Sequence, residues 1–450
     1  LFRSEKRVLP TCGAMKLTLK GTVIKMKNIC RSTIAIILAF VCIISFAGCV
    51  KDGGAKPGDG TTTAEPATTQ DPKLAAIEKI KKEAVELVND DSDDKASADE
   101  LFAAFCGDYV VDNIKQTNGL RRVVRKGDAA FTEYADGSGL YVVARDGVVY
   151  YVESSEGKYS VGNAVEPGSS NEYLPSVFFD FSMDISDLYS GNKDDASGNM
   201  TNMPKLTEDM VTVDDDMKTA IFSESYLNDV IKSIADFFAA DNEAAGKEFL
   251  ASAEITGKYN VEEKRAELVL KYKTEATGDV IMTIGQKNDA EKGPVGLLKT
   301  EWTVVMNGIS MPTVSELTVY GVEYDGKKPV CGTFEIATTT GASFDYQGYK
   351  GTVSMKQSAS YKLDTRANAK LNCDAESVVE SVTVIGGNTE RVNVKNTLVI
   401  EGGNIAYSMT SNGSTYAVNG KIRLGTSDDM KIPAGVDSCI DQYIKETSGV

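Results

Sequence analysis

Apolar residues recur at helical spacing in several parts of this chain. Asp71 and Pro72 supply a helix N-cap followed by proline at the first helical position, and the apolar spacing predicts a helix through Val88. A capping box that begins at Ser97 predicts a second helix with apolar positions at Leu101, Phe102, Phe105, Tyr109 and Val110. Two more helices are predicted over 224–239, which has a wide apolar stripe, and over 242–250.

Elsewhere apolar and polar residues alternate with a period of two, and turn dipeptides such as Asp146-Gly147 separate the runs. Such short turns predict antiparallel strands, and almost no helical pattern appears beyond residue 251. The fold class is therefore α+β and mostly antiparallel β, with curved sheets or a half-barrel packed against a few helices. The strands are predicted at 129–135, 140–145, 148–153, 158–161, 177–183, 253–259, 266–274, 279–285, 301–306, 314–324, 331–337, 352–362, 367–373, 378–385, 391–400, 405–411 and 414–424.

Some of these strands are apolar on both faces. In 140–144 and 148–152 the side that would otherwise be wet must be covered by a helix or a second sheet. The helix over 224–239 is a candidate for that cover. The folded part is divided into an α+β region over 73–250 and a β-rich region over 251–450, which is either separate or continuous with it.

The N-terminal part carries a targeting signal. Lys25, Lys27 and Arg31 precede an apolar run over 34–47 that is too short for a spanning helix and is typical of a secretory signal peptide. We expect the signal peptide at 26–48, with Met26 as the start and 1–25 as upstream sequence read through.

The end of that run, Phe46-Ala47-Gly48-Cys49, resembles the lipobox of bacterial lipoprotein signal peptides. The resemblance implies that Cys49 is acylated and becomes the first mature residue. A Gly-, Thr- and Pro-rich stretch over 49–72 is then a flexible linker. The expected location is the membrane, with the chain lipid-anchored at its extracytoplasmic face, on the cell surface or in the periplasm.

Composition excludes several functions. The chain contains no histidine, which excludes Ser-His-Asp and Cys-His catalysis and histidine-ligated metals. Its formal charge of -17 argues against a nucleic-acid partner, because phosphate binding needs a basic face. Residues 49–450 contain 40 basic and 64 acidic side chains, so attachment to an anionic membrane must come from the lipid on Cys49.

Motifs for catalysis are missing from the sequence. No phosphate-binding glycine loop, nucleophile elbow or Cys-x-x-Cys pair occurs, and the acidic clusters, such as Asp214 to Asp216, fit loops and turns better than calcium sites. We therefore expect no enzyme activity, metal or cofactor. Outside the cytoplasm four further cysteines permit zero, one or two disulfides: Cys106, Cys331, Cys373 and Cys439.

The order of elements and the anchor resemble those of the LolA-like and LprG-like lipoprotein carriers. In that family a curved antiparallel half-barrel closes over helices and holds acyl chains between them. The candidate ligand wall, for which ordinary core is the alternative, comprises Val177, Phe179, Phe181, Met183, Phe237 and Phe238. The first hypothesis is a non-catalytic carrier of an apolar, lipid-like molecule. The alternatives are a structural or protein-interaction module of the cell envelope and a carboxylate-based hydrolase.

Overall fold

The computed structural model describes most of the folded part of the chain. Four helices occur within the described residues: α1 (Pro72–Val88), α2 (Glu224–Asp241), α3 (Glu243–Ser252) and α4 (Ala434–Ser448). The described residues are 71–89, 101, 109–115, 119–126, 129–146, 148–165, 204–241, 243–274, 278–306, 309–346, 349–366, 372–425, 429 and 432–448.

Nineteen strands occur within the same residues, and those in the second half of the chain are long. The first nine are β1 (Tyr109–Lys115), β2 (Leu120–Lys126), β3 (Ala129–Tyr134), β4 (Gly139–Arg145), β5 (Val148–Ser155), β6 (Lys158–Val165), β7 (Val211–Val213), β8 (Thr219–Phe222) and β9 (Glu254–Asn260). The others are β10 (Arg265–Thr274), β11 (Gly278–Asp289), β12 (Gly293–Met306), β13 (Ile309–Asp325), β14 (Lys328–Tyr346), β15 (Tyr349–Asp364), β16 (Asn372–Ile385), β17 (Asn388–Glu401), β18 (Asn404–Ser411) and β19 (Ser414–Leu424).

All these strands belong to one antiparallel sheet that is curved and not closed, as the α+β prediction requires. From β7 to β19 each strand pairs with the next along the chain, and β1 to β6 do the same. The two series meet where β1 pairs with β19. In the described pairings β6 and β7, which follow one another along the chain, are therefore the two edges of the sheet.

Helices α1 to α3 pack on one face of the sheet, which we call the inner face and define by Leu270, Leu298 and Leu398. Asp71 begins α1 as predicted, because its side chain accepts a hydrogen bond of 3.0 Å from the backbone N–H of Lys73. The buried side chains of α1 and α2 join a single core with the inner face: Ile80, Ala84, Tyr226, Leu227, Val230, Ile234 and Ala235.

The opposite, outer face is covered at β4 to β6 by α4. Val143, Tyr150 and Val152 form a second buried cluster there with Val436 and Ile440 of this helix. The predicted cover for β4 and β5 is the helix over 224–239. On the outer face this prediction is wrong, because α4 covers these strands there and α2 packs on the inner face against β9.

An ion-pair cluster holds the segment before α4 against the sheet. The carboxylate of Asp429 accepts a hydrogen bond of 2.8 Å from Arg122 Nη2 on β2. It also accepts two from the guanidinium of Arg423 on β19, at 2.6 and 2.7 Å. Because the Asp429 side chain is largely buried, these two cations compensate its desolvation and hold Asp429 against β2 and β19.

Three sequence predictions need correction. Tyr109 and Val110 begin β1 and do not belong to the helix predicted from Ser97, because their backbone pairs with β2 and β19. The chain beyond residue 251 does contain a helix, α4. Residues 372–373, from the predicted strand at 367–373, and the whole predicted strand at 378–385 belong to one strand, β16.

Strand lengths were also underestimated. β14 has 19 residues, which at about 3.3 Å per residue is roughly 60 Å. Its second half has Thr and Gly where the pattern required apolar residues, so periodicity alone ended the prediction at residue 337. Among the residues that the structure describes, none of the helices combines the length and apolar character needed to span a bilayer.

Candidate functional site

The sequence-predicted ligand wall is only partly covered by the structure. Phe237 and Phe238 lie in α2, but their side chains are not among those described. The remaining wall residues lie outside the described residues, as does the predicted lipidation site Cys49: Val177, Phe179, Phe181 and Met183.

The inner face of β13 to β17 changes character along the strands. Toward the turns at 325–328 and 401–404 it is apolar and buried, with Phe334 1 % and Tyr361 0 % exposed. Further along the strands follows a stretch of hydroxyl, amide, Met and Val side chains, most of them half-buried. We call this second region the neutral inner face, and it comprises Thr313, Ser315, Thr338, Thr340, Met355, Gln357, Ser377, Val379, Ser381, Val392, Val394 and Asn396. Beyond this stretch, near the start of β17, the exposed Glu390 lies on the same face.

The neutral inner face forms continuous cross-strand rows. In one row Ser315, Thr338, Gln357, Val379 and Val394 lie directly opposite one another across five strands. Directly paired residues of antiparallel strands project to the same side, so the row is one surface about 20 Å wide at the usual strand spacing of about 4.8 Å.

Charge is distributed unequally between the two faces in this part of the sheet. The twelve side chains of the neutral inner face are all uncharged. On the outer face of the same strands Lys356 and Glu380 are opposite one another and exposed, and Lys395 pairs with Glu376 at 2.7 Å. A half-buried face without charge, on strands whose other face is charged, can contact an apolar surface without desolvating an ion.

Four hydroxyl groups of this face are paired with one another across β13 and β14. Thr313 Oγ1 donates to Thr340 Oγ1 at 2.9 Å, and the hydroxyls of Ser315 and Thr338 are 3.1 Å apart. Because these four hydroxyls each have a partner within the sheet, covering them with an apolar molecule costs less than covering unpaired hydroxyls would.

One polar atom of the neutral inner face is different. Asn396 is 2 % exposed, and its Nδ2 donates to Ser377 Oγ at 3.2 Å. Its amide oxygen, Oδ1, is buried and accepts no hydrogen bond in the structure. Buried amide oxygens are nearly always paired, because desolvation without a partner costs about 1–3 kcal/mol.

Aromatic side chains flank the neutral inner face on both sides. Trp302, the single tryptophan of the sequence, is half-buried on β12 and opposite Thr313. On the other side Tyr416 of β19 is 36 % exposed and opposite Met409 of β18. The face is thus bounded by groups that pack well against either an acyl chain or a neutral polar group.

The described cysteines are free thiols: Cys331, Cys373 and Cys439. Cys106, the other candidate for a disulfide, lies outside the described residues. Burial raises the pKa of the Cys373 thiol far above its ordinary value, and burial also raises the pKa of Cys331. Both thiols are therefore protonated at neutral pH and are poor nucleophiles.

The acidic cluster at 214–216 stabilises a turn. Asp214 accepts hydrogen bonds of 3.0 Å from the backbone N–H groups of Lys218 and Thr219, and Asp216 accepts one from Lys218 at 3.1 Å. The bond from Thr219 is the main reason that the pKa of Asp214 lies below its ordinary value. Within the described ranges no group of three or more acidic or cysteine side chains is arranged to hold a metal ion.

The sequence predicted one part of this site and missed another. Alternation over 392–400 predicts that Val392, Val394, Leu398 and Ile400 share a face, and the pairing confirms it. It gave no sign of Asn396, which lies on that same face and is more deeply buried than the two valines beside it. Comparisons with protein-family models, with curated proteins and with solved structures found no match to this chain.

Proposed function

We propose that this protein is a non-catalytic lipoprotein, tethered to a membrane through Cys49, that binds or carries an uncharged apolar or amphipathic molecule on its neutral inner face. The observation that supports this proposal is the uncharged, half-buried surface across β13 to β17, next to a fully buried core on the same strands. An acyl chain is the simplest ligand of that chemistry.

The energetics of such a ligand favour a long contact. Burial of one methylene group contributes about 0.8 kcal/mol, so ten of them contribute roughly 8 kcal/mol. Association costs several kcal/mol in lost freedom of motion, about 4 at the least. Micromolar binding therefore requires that most of a long acyl chain lies against the protein, which a surface about 20 Å wide allows.

The proposed location rests on the sequence. A diacylglycerol group on Cys49 would provide stable anchoring at the extracytoplasmic face, and the predicted linker over 49–72 would place the sheet away from the bilayer. The strong negative charge of the rest of the chain would keep the folded part away from anionic headgroups.

Trp302 provides a direct test of ligand binding. Bromine on an acyl chain quenches tryptophan fluorescence on contact, and this chain has a single tryptophan, at the border of the proposed site. We expect a monoacylglycerol with a brominated chain to quench Trp302 in the protein produced without residues 1–49, whereas the same lipid without bromine does not. If the brominated lipid has no effect at any soluble concentration, the proposal is wrong.

Lysine substitutions at two neighbouring positions, one on each face of the sheet, test which face binds the ligand. Thr338 lies on the neutral inner face, whereas Ala337 is exposed on the outer face opposite Glu316. We expect Thr338→Lys to weaken binding roughly tenfold or more, because a charge is costly against an acyl chain, and Ala337→Lys to change it less than about twofold. Equal effects of the two substitutions would contradict binding on the inner face, and circular dichroism checks that both variants are folded.

A further inference from the structure

The unpartnered oxygen of Asn396 points to the class of ligand, on the assumption that the proposed function is correct. One N–H of its amide nitrogen donates to Ser377, whereas Oδ1 accepts no hydrogen bond, so the atom without any partner is a hydrogen-bond acceptor. A pure hydrocarbon cannot satisfy it. A molecule with a hydroxyl or amide N–H can.

A ligand group that carries a charge of either sign would be unstable next to Asn396. The side chains around Asn396 on the inner face are neutral: Ser377 and Met409 are directly opposite, and Val394 and Leu398 are on the same strand. An ionised carboxylate or ammonium group brought here would be buried without a counter-ion, which costs far more than one hydrogen bond returns. The donor is therefore an uncharged group.

We propose that Asn396 Oδ1 accepts a hydrogen bond from a neutral hydroxyl or amide N–H of the bound molecule, and that the ligand is a neutral acyl amphiphile of the acylglycerol type. Free fatty acids and plain hydrocarbons are the disfavoured members of the same apolar class. The cross-strand neighbour Met409 has a flexible, unbranched side chain, so it can move aside when the ligand reaches the amide.

The test compares two esters of the same fatty acid, of which only one carries hydroxyl donors. A monoacylglycerol and a fatty-acid methyl ester, both with the same brominated chain, are titrated against the protein with Trp302 fluorescence as the readout. The quantity of interest is the ratio of the two dissociation constants, because each probe also differs in its solubility in water. Asn396→Leu removes the acceptor and keeps a similar volume.

We expect this ratio to favour the monoacylglycerol about tenfold more in the unsubstituted protein than in Asn396→Leu, which corresponds to about 1.4 kcal/mol. Ser377→Ala is the matched control, since it removes the partner of the amide nitrogen but keeps the acceptor, and should leave the ratio within about twofold. Asn396→Ala provides a second variant in case the leucine does not fit.

The outcomes separate the two proposals. If neither probe quenches Trp302, the proposed function fails. If both probes bind and the ratio is the same with and without Asn396, the lipid site stands and the acceptor role of Asn396 is refuted. If Ser377→Ala changes the ratio as much as Asn396→Leu does, the effect belongs to the packing of the pair and the inference is likewise overturned.

Discussion

The two halves of β13 to β17 show one sheet face used in two ways. In the half near the 325–328 turn, Phe334, Tyr361 and Leu398 are almost completely buried in the main core. In the other half the same face of the same strands carries Thr338 and Gln357, which are half-buried and neutral. The difference in burial indicates that stability is concentrated in one half, and the proposed function assigns ligand binding to the other.

Deletion of methyl groups at matched positions provides the strongest test of that division. Leu398 and Val394 lie on the inner face of β17, one in each half. We expect Leu398→Ala to lower the free energy of unfolding by about 2–5 kcal/mol, because it leaves a cavity in a packed core. Val394→Ala should lower it by less than about 1 kcal/mol, since solvent or neighbouring side chains can fill the space.

Urea unfolding followed by circular dichroism measures both changes. A loss at Val394 as large as the loss at Leu398 would show that the neutral half is also core, and the functional assignment of that half would lose its basis.

Alkaline pH should lower the free energy of unfolding through the buried core and not through the neutral inner face. Burial raises the pKa of Tyr226 in the core to about 12, whereas the hydroxyl and amide groups of the neutral inner face do not titrate near that pH. A raised pKa means that the stabilisation is complete below about pH 10, the pKa of an unfolded tyrosine, and is lost as the pH rises toward 12.

We therefore expect the protein to lose about 2–3 kcal/mol through Tyr226 between pH 10 and 12, and Tyr226→Phe to remove that share of the loss. The measurement is the free energy of unfolding of both proteins at several pH values. An identical alkaline loss in the two proteins would show that Tyr226 is already accessible to water when folded.

The smallest expected effect on stability is at the one polar pair that is buried in the neutral half. Replacing both members, Ser377→Ala together with Asn396→Leu, removes one hydrogen bond and one unpaired buried oxygen. We expect a change of less than about 1 kcal/mol in the free energy of unfolding, of either sign. A loss above about 2 kcal/mol would indicate that Asn396 has a structural role, and thermal unfolding suffices to detect it.

Local signals in the sequence predicted much of the architecture but not its assembly. The cap at Asp71 and Pro72 and the stripe over 224–239 predicted α1 and α2, because capping and periodicity are local properties. The pairing of β1 with β19 joins residues more than 300 positions apart, and no local pattern encodes it. The same limit applies to the outer-face cluster beneath α4.

The site was harder to predict because its signal depends on burial. Alternation places Thr338 on the side of Phe334 and Gln357 on the side of Tyr361, but only the register shows that these two strands present them on one common face. The signal for α4 is local, since Val436, Ile440 and Tyr443 recur at helical spacing. The missing partner of Asn396 is visible only in three dimensions.

The junction of β1 with β19 also constrains how the chain acquires its structure. The first and last strands, β1 and β19, pair inside the sheet, whereas its edge strands, β6 and β7, come from the middle of the chain. Neither the first six strands nor the later thirteen therefore complete their hydrogen bonding alone. A polypeptide that lacks its last hundred residues would have unpaired strands on both sides of the gap. The sheet can therefore be completed only after the C-terminal strands are present. The pairing of β1 with β19 should form slowly, because it joins residues that are far apart in the sequence.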